Sequence, residues 1–209
     1  MVKISINDVK TKNRIYQFRI DINGAKPPIW RRVQVEKNIS FGEFHYILQS
    51  IFNWENYHLH QFSIDKNTLL VDTTHEGYEP MDMFPIYGMT PIKEINEHTV
   101  KLNKYFKKVD DKLTYEYDFG DGWEHIIKLE KILDKDQNQN YPYLVTGKRV
   151  APFEDCGGMW GWEEICDVME GKGNDRKEEI LEYYQKFDPK DSTIKDVKVI
   201  NEFFQNWNK

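Results

Sequence analysis

The chain has only two cysteines among its 209 residues, Cys156 and Cys166, so it has neither a disulfide framework nor a C-x-x-C metal clasp. Long apolar runs are also missing. No segment approaches the roughly 20 residues that a membrane-spanning helix needs, and residues 1–22 lack the basic start, apolar block and small-residue cleavage site of a secretory signal. The expected location is the cytoplasm, with no membrane partner. Excess positive charge is absent too: the formal net charge is −6, which repels phosphate backbones and leaves nucleic-acid binding to a local basic patch. Lys101, Lys104, Lys107, Lys108 and Lys112, with Tyr105 and Phe106 among them, form one such patch. Asp110 and Asp111 interrupt it, and a solvated face is the simpler reading. No P-loop, G-x-G-x-x-G, H-E-x-x-H, G-x-S-x-G or EF-hand loop occurs, which withdraws support from the common nucleotide, zincin, hydrolase and calcium readings.

What the chain does have is aromatic mass. Its 12 Tyr, 12 Phe and 6 Trp supply large buried area despite a polar average, and the length suits a single domain, 1–209, with a sizeable core. Residues 14–22 alternate Tyr16, Phe18, Ile20 and Ile22 with polar partners, as a half-buried strand does. Pro27-Pro28 calls for a longer loop before an antiparallel return from about Ile29 to Val35. Ser40-Phe-Gly-Glu43 fits a capping box ahead of a helix with Phe44, Ile47, Leu48 and Ile51 on one face, running to about Phe52. Strands are expected at 58–64, at 69–72 and on both sides of Asp121-Gly122, with a long loop at 73–91. From Trp160 the pattern turns helical in three segments, 160–169, 175–187 and 193–207. The predicted class is α+β: an antiparallel sheet of hairpins over 14–150 with one helix after the first hairpin, and a helical part over 160–207 packed on the sheet.

Three polar clusters carry the candidate chemistry. In Trp54-Glu-Asn-Tyr57-His58-Leu-His60, the two histidines share a face if the segment is extended, one way to present two imidazoles to a metal. In Tyr115-Glu-Tyr-Asp118-Phe-Gly-Asp121-Gly-Trp123-Glu-His125, a two-residue turn at Asp121-Gly122 pairs Asp118 with His125, and a slip to Gly120-Asp121 sets His125 against Glu116. Either register gives the imidazole an acidic neighbour about 5 Å away, as an acid/base pair, a metal-ligand pair or a plain cross-strand charge pair. In the third, Ala151-Pro-Phe-Glu154-Asp155-Cys156-Gly-Gly-Met-Trp160-Gly-Trp162, adjacent carboxylates precede a glycine pair, as a pocket edge or as a cap on the following helix. The candidate catalytic groups are therefore Asp118, His125, Glu154 and Asp155. Candidate ligands for a divalent metal are His58, His60, Asp118, Asp121 and His125, and the candidate binding aromatics are Trp54, Tyr57, Trp123 and Trp160.

Those three segments, with Trp30-Arg-Arg32 and Gly147-Lys-Arg149, resemble the family named for the third open reading frame of an Agrobacterium root-inducing plasmid. The resemblance spans about 16–188, and its most specific string is Asp-Phe-Gly-Asp-x-Trp-x-His; Phe153 departs from it, standing where relatives tend to have a second proline before Glu-Asp. Some relatives carry labels as transposon passenger proteins or as resolvases of the TnpR kind. This chain has no Ser-recombinase pattern and no helix-turn-helix that would carry such an activity. The leading functional expectation is a non-enzymatic binding or accessory domain with an aromatic and carboxylate groove for an unidentified ligand or protein partner. A metal-dependent hydrolase or nuclease comes second, and a DNA-associated accessory factor acting through the lysine segment third.

Overall fold

The first two strands follow directly from the alternation in the chain. In the computed structural model, which describes residues 14–80, 92–173, 175–185, 187–191 and 197–206, β1 (Arg14–Ile22) pairs with β2 (Trp30–Glu36) antiparallel, Tyr16 opposite Val35 and Phe18 opposite Val33. Helix α1 (Phe41–Phe52) starts where the capping box sets it: Ser40 Oγ accepts from the Glu43 amide at 3.1 Å, and a Glu43 carboxylate oxygen accepts from the Ser40 amide at 2.7 Å. It ends at Asn53, whose left-handed φ of 59° closes the last turn.

The remaining strands are β3 (His60–Asp65), β4 (Thr68–Val71), β5 (Lys93–Asn96), β6 (Lys112–Tyr117), β7 (Trp123–Asp134) and β8 (Tyr143–Lys148). They join β1 and β2 in one sheet ordered β5-β4-β3-β6-β7-β1-β2-β8. All neighbours are antiparallel except β4 and β5, which run parallel. Between them lies the long loop predicted at 73–91, of which 81–91 fall outside the described residues. Helix α1 crosses the inner face of this sheet. Phe44 meets Phe18 of β1 at 5.1 Å, Phe41 meets Phe62 of β3 at 5.0 Å, and Phe52 meets His125 of β7 at 4.8 Å between ring centroids. Buried aromatic pairs of this geometry add about 0.5–1.5 kcal/mol each beyond the area they remove from water, so α1 and the sheet hold each other in one arrangement.

After the sheet come α2 (Gly158–Met169), α3 (Lys177–Tyr183) and α4 (Val197–Gln205). Trp162 of α2 with Ile200 and Phe204 of α4 joins the main core, while Ile165, Val168 and Ile180 form a small second cluster. The Asn201 side chain of α4 is docked on the outer edge of β8, accepting from the Leu144 amide at 2.8 Å and donating to the Leu144 carbonyl at 3.0 Å. Of the predicted third helical segment, 193–196 and Trp207 lie outside the described residues. The class is α+β, and no helix among the described residues is long and apolar enough to cross a membrane.

Two local expectations need correction. The β6–β7 register pairs Tyr117 with Trp123, Glu116 with Glu124 and Tyr115 with His125, so 118–122 is the connection and His125 faces neither Asp118 nor Glu116. The cause is Asp118 itself. It adopts a left-handed φ of 58°, its carbonyl accepts from the Gly122 amide at 2.6 Å, and its Oδ1 accepts from the amides of Gly120 and Asp121 at 2.9 and 3.3 Å. Side-chain bonds of this kind compete with ladder pairing and open the turn early. Second, β3 begins at His60 rather than His58. The approach is irregular because Asn56 has φ 61°, the Tyr117 hydroxyl accepts from the Tyr57 amide at 3.0 Å, and the Leu59 carbonyl accepts from the Asp118 amide at 2.9 Å. His58 and His60 therefore do not share a strand face.

Candidate functional site

The three polar segments of the sequence meet at one end of the sheet. Trp54 stacks on Tyr117 at 5.1 Å, and its indole N–H donates to the Pro152 carbonyl at 2.9 Å. Glu154 accepts from the Glu55 amide at 2.7 Å and from the Tyr117 hydroxyl. Asp121 accepts from the Gly157 amide at 3.2 Å. Contact at this corner is close enough to demand glycine: Gly158 has φ 67°, and a Cβ there would stand 2.5 Å from the Asp121 carbonyl oxygen.

Where these loops meet, His58, Asp118 and Asp155 come together, with one ligand-type atom from each all within 4.8 Å of one another. His58 Nε2 is 2.9 Å from Asp155 Oδ1 and 3.6 Å from Asp118 Oδ2. Asp118 and Asp155 hold left-handed backbone angles, φ 58° and 55°, which aspartate tolerates better than most residues.

His58 also lines a cleft of about 550 Å³ beside the start of β3. Its rim carries Tyr46, Tyr57, Leu59 and Phe119, all large apolar side chains exposed to solvent. Its wall is polar and buried. His60 Nε2 lies 2.9 Å from Glu97, and the His60 ring stacks on His45 with centroids 3.5 Å apart and planes 5° from parallel. Burial pushes the Glu97 carboxyl up to about 8, partly opposed by His98. Burial likewise holds His60 down at about 4, aided by His98 and His75 against Asp72, and His45 down at about 3, aided by His60. Near neutral pH the pair is thus a neutral acid donating to a neutral imidazole, since a charge on His60 would be desolvated and pressed against a second imidazole.

His45 is set from behind. Asn56 Oδ1, an acceptor only, lies 2.8 Å from His45 Nε2, so that nitrogen carries the proton. Nδ1 then accepts from the Tyr115 hydroxyl at 2.8 Å, which itself accepts from Gln49 at 3.0 Å, and the Asn56 amide donates to Gln49 at 3.1 Å. Each buried polar group in this ring has a partner, so the cleft wall is rigid and one tautomer is selected.

Of the residues singled out in the sequence, His58, Asp118 and Asp155 form the trio, Tyr57 and His60 line the cleft, and Asp121 and Glu154 bind loops together. His125 pairs with no carboxylate among the described residues; it is fully buried, its Nδ1 donates to the Trp123 carbonyl at 3.0 Å, and burial lowers it to about 4. Trp54 and Trp123 are core residues, and Trp160 is exposed away from the cleft. His45 and Glu97 went unnoticed in the sequence. A signal for His45 existed: His45 and Gln49 sit one helical turn apart on the edge of the apolar face of α1, and both are buried. Glu97 lies in a single 3-10 turn, Glu97–Thr99, and nothing in its neighbourhood announces burial.

A profile of the plasmid pRiA4b ORF-3-like protein family matches residues 14–196. The uncharacterized protein y4hQ of Sinorhizobium fredii (strain NBRC 101917 / NGR234) is 27% identical over 169 residues, 81% of this chain and 80% of that one. The crystal structure of a protein of unknown function, MM3350 from Methanosarcina mazei Go1, is similar with a TM-score of 0.70 and 31% identity, covering 87% of this chain and 94% of that one.

Proposed function

This chain belongs to the plasmid pRiA4b ORF-3-like family, and on that premise we propose that it is a binding domain for a small, flat, non-anionic molecule with a hydrogen-bonding edge. The observation that carries the reading is the cleft. A volume of about 550 Å³ suits a drug-sized ligand, since such sites run from about 300 to 1,000 Å³. Four exposed apolar side chains gathered on one rim offer contact area to a ring system, where isolated exposed residues would mean nothing. The Glu97–His60 pair supplies a neutral donor and acceptor on the wall. An anionic ligand would be opposed by the Asp72, Glu79 and Glu94 carboxylates in the same lining.

Ligand-observed NMR with a library of aromatic and heterocyclic fragments tests this reading. Several fragments are expected to bind, to compete with one another, and to be lost together in a Leu59→Asp, Phe119→Asp variant that stays folded. An absence of binders, or binders indifferent to that variant, removes the reading. The metal-dependent hydrolase reading keeps one observation in its favour, the His58, Asp118 and Asp155 grouping next to the cleft. The lysine segment offers less to a nucleic acid than its sequence suggested, because Phe106 is turned into the core and Lys107 is bonded to the Asn103 carbonyl.

A further inference from the structure

We infer that His58, Asp118 and Asp155 form a binding site for a divalent transition-metal ion, of the zinc or manganese class, beside the cleft. Geometry speaks first. Ligands held about 2.1 Å from one ion lie about 3.0 Å apart at right angles and about 3.4 Å apart at tetrahedral angles. The observed separations from His58 Nε2, 2.9 Å to Asp155 and 3.6 Å to Asp118, bracket those values.

The second observation is independent of distance. His58 Nε2 is shielded from solvent yet makes no hydrogen bond, even with a carboxylate oxygen at 2.9 Å, because the direction set by the ring misses both acids. Donor and acceptor would align; ligands of one ion aim at a point between them. Asp118 points the same way. Its side chain is 9% exposed, and Oδ1 is committed to the Gly120 and Asp121 amides, which orients the carboxylate and leaves Oδ2 directed at His58. Backbone donors of this kind are the outer support that ligating carboxylates characteristically have.

Charge adds a third reason. Neither Asp118 nor Asp155 pairs with a lysine or arginine among the described residues, and Glu154 lies in the same corner, bonded to Tyr117 and to the Glu55 amide. Two unmatched carboxylates around one imidazole gain from a dication. Three protein ligands, one nitrogen and two oxygens, suit zinc or manganese and leave coordination positions for water or ligand. Asp155 is exposed, giving the ion a way in, and His58 also lines the cleft. The site stands apart from the small-molecule reading, since it is tested with the metal alone.

The test uses full-length protein, purified without an affinity tag and stripped with chelator, titrated with Zn²⁺ by calorimetry and with Co²⁺ by visible absorption. One equivalent of each is expected to bind. His58→Gln, Asp118→Asn and Asp155→Asn are expected to weaken binding at least about 100-fold, since loss of a mere outer-shell partner already costs 10- to 100-fold. Asparagine accepts the left-handed backbone at 118 and 155, and at 118 its carbonyl can still take the loop amides, so these variants remove a ligand without removing the turn. His98→Gln, at a histidine outside the cleft lining, should bind metal as the parent does. In ¹⁵N spectra, the Nε2 resonance of His58 should move on adding Zn²⁺. No stoichiometric binding, equal binding by Asp155→Asn, or an unmoved His58 signal would overturn the proposal in favour of a purely structural contact between His58 and the two acids.

Discussion

Replacing Glu97 with glutamine should make the protein more stable than the parent as pH rises. Glu97 is 1% exposed and its carboxyl is raised from 4.5 to about 8, chiefly by burial. Across that interval the folded state holds a proton that the unfolded chain has released. Stability is therefore full below about 4.5 and declines as pH climbs through the folded value. At about 1.36 kcal/mol per unit, the loss is about 3 kcal/mol between pH 4.5 and 7 and about 4 kcal/mol by pH 8. Glutamine carries no proton to lose, and its amide still donates toward His60 Nε2, now 2.9 Å from Glu97. Urea unfolding of both proteins at half-unit steps from about pH 4.5 to 8.5 isolates the effect, because the histidine contributions cancel in the difference. The variant's advantage should grow by about 3 kcal/mol from pH 4.5 to 7. A constant difference would mean that Glu97 titrates normally. A difference that turns increasingly against the variant would mean that Glu97 and His60 form an ion pair.

Three further outcomes are expected. The acid limb of the stability curve reflects His45, His60 and His125, whose folded values of about 3, about 4 and about 4 lie below the ordinary 6.5; their contribution is intact above about 6.5 and is lost as pH falls toward 4. His125→Leu should shallow that limb by about one proton, or about 1.36 kcal/mol per pH unit, and an unchanged slope in acid urea titrations would refute the burial account. Ser40→Ala removes the capping bond to the Glu43 amide and should cost about 1 kcal/mol in urea melts; a neutral result would place the start of α1 under tertiary control alone. Gly158→Ala sets a Cβ 2.5 Å from the Asp121 carbonyl at positive φ, so a loss of about 1–3 kcal/mol is expected, together with faster amide exchange at Gly157. Unchanged exchange there would count against the docking of the two loops.

The regular parts of the fold were legible because local pattern and tertiary demand agree in them. Residues 14–22 alternate without interruption and form β1 over the same span, and the capping box starts α1 where its four residues predict. The hairpin was misread because a hydrophobic alternation does not report side-chain turn bonds: Asp118 looked like one more strand residue and instead begins the loop. With the strand ended at Tyr117, Phe119 stands exposed on the rim of the cleft. The candidate site was half visible. Its residues come from three segments rich in polar and glycine signals, yet which of them meet depends on register, and His58 rather than His125 is the imidazole beside the acids. Glu97 was invisible because a buried carboxylate in an isolated turn is chosen by the partner it meets across the chain, here His60.

The amide of Asn201 has a consequence for how the molecule behaves in a crowd. β8 is the last strand on its side of the sheet, and an open strand edge is a template on which another chain can add itself. By giving Leu144 one donor and one acceptor, this side chain imitates the peptide group of a further strand and occupies the edge near the start of β8. A single asparagine on a helix thus marks where the sheet stops growing, and an Asn201→Ala chain would be the form to watch for edge-to-edge self-association.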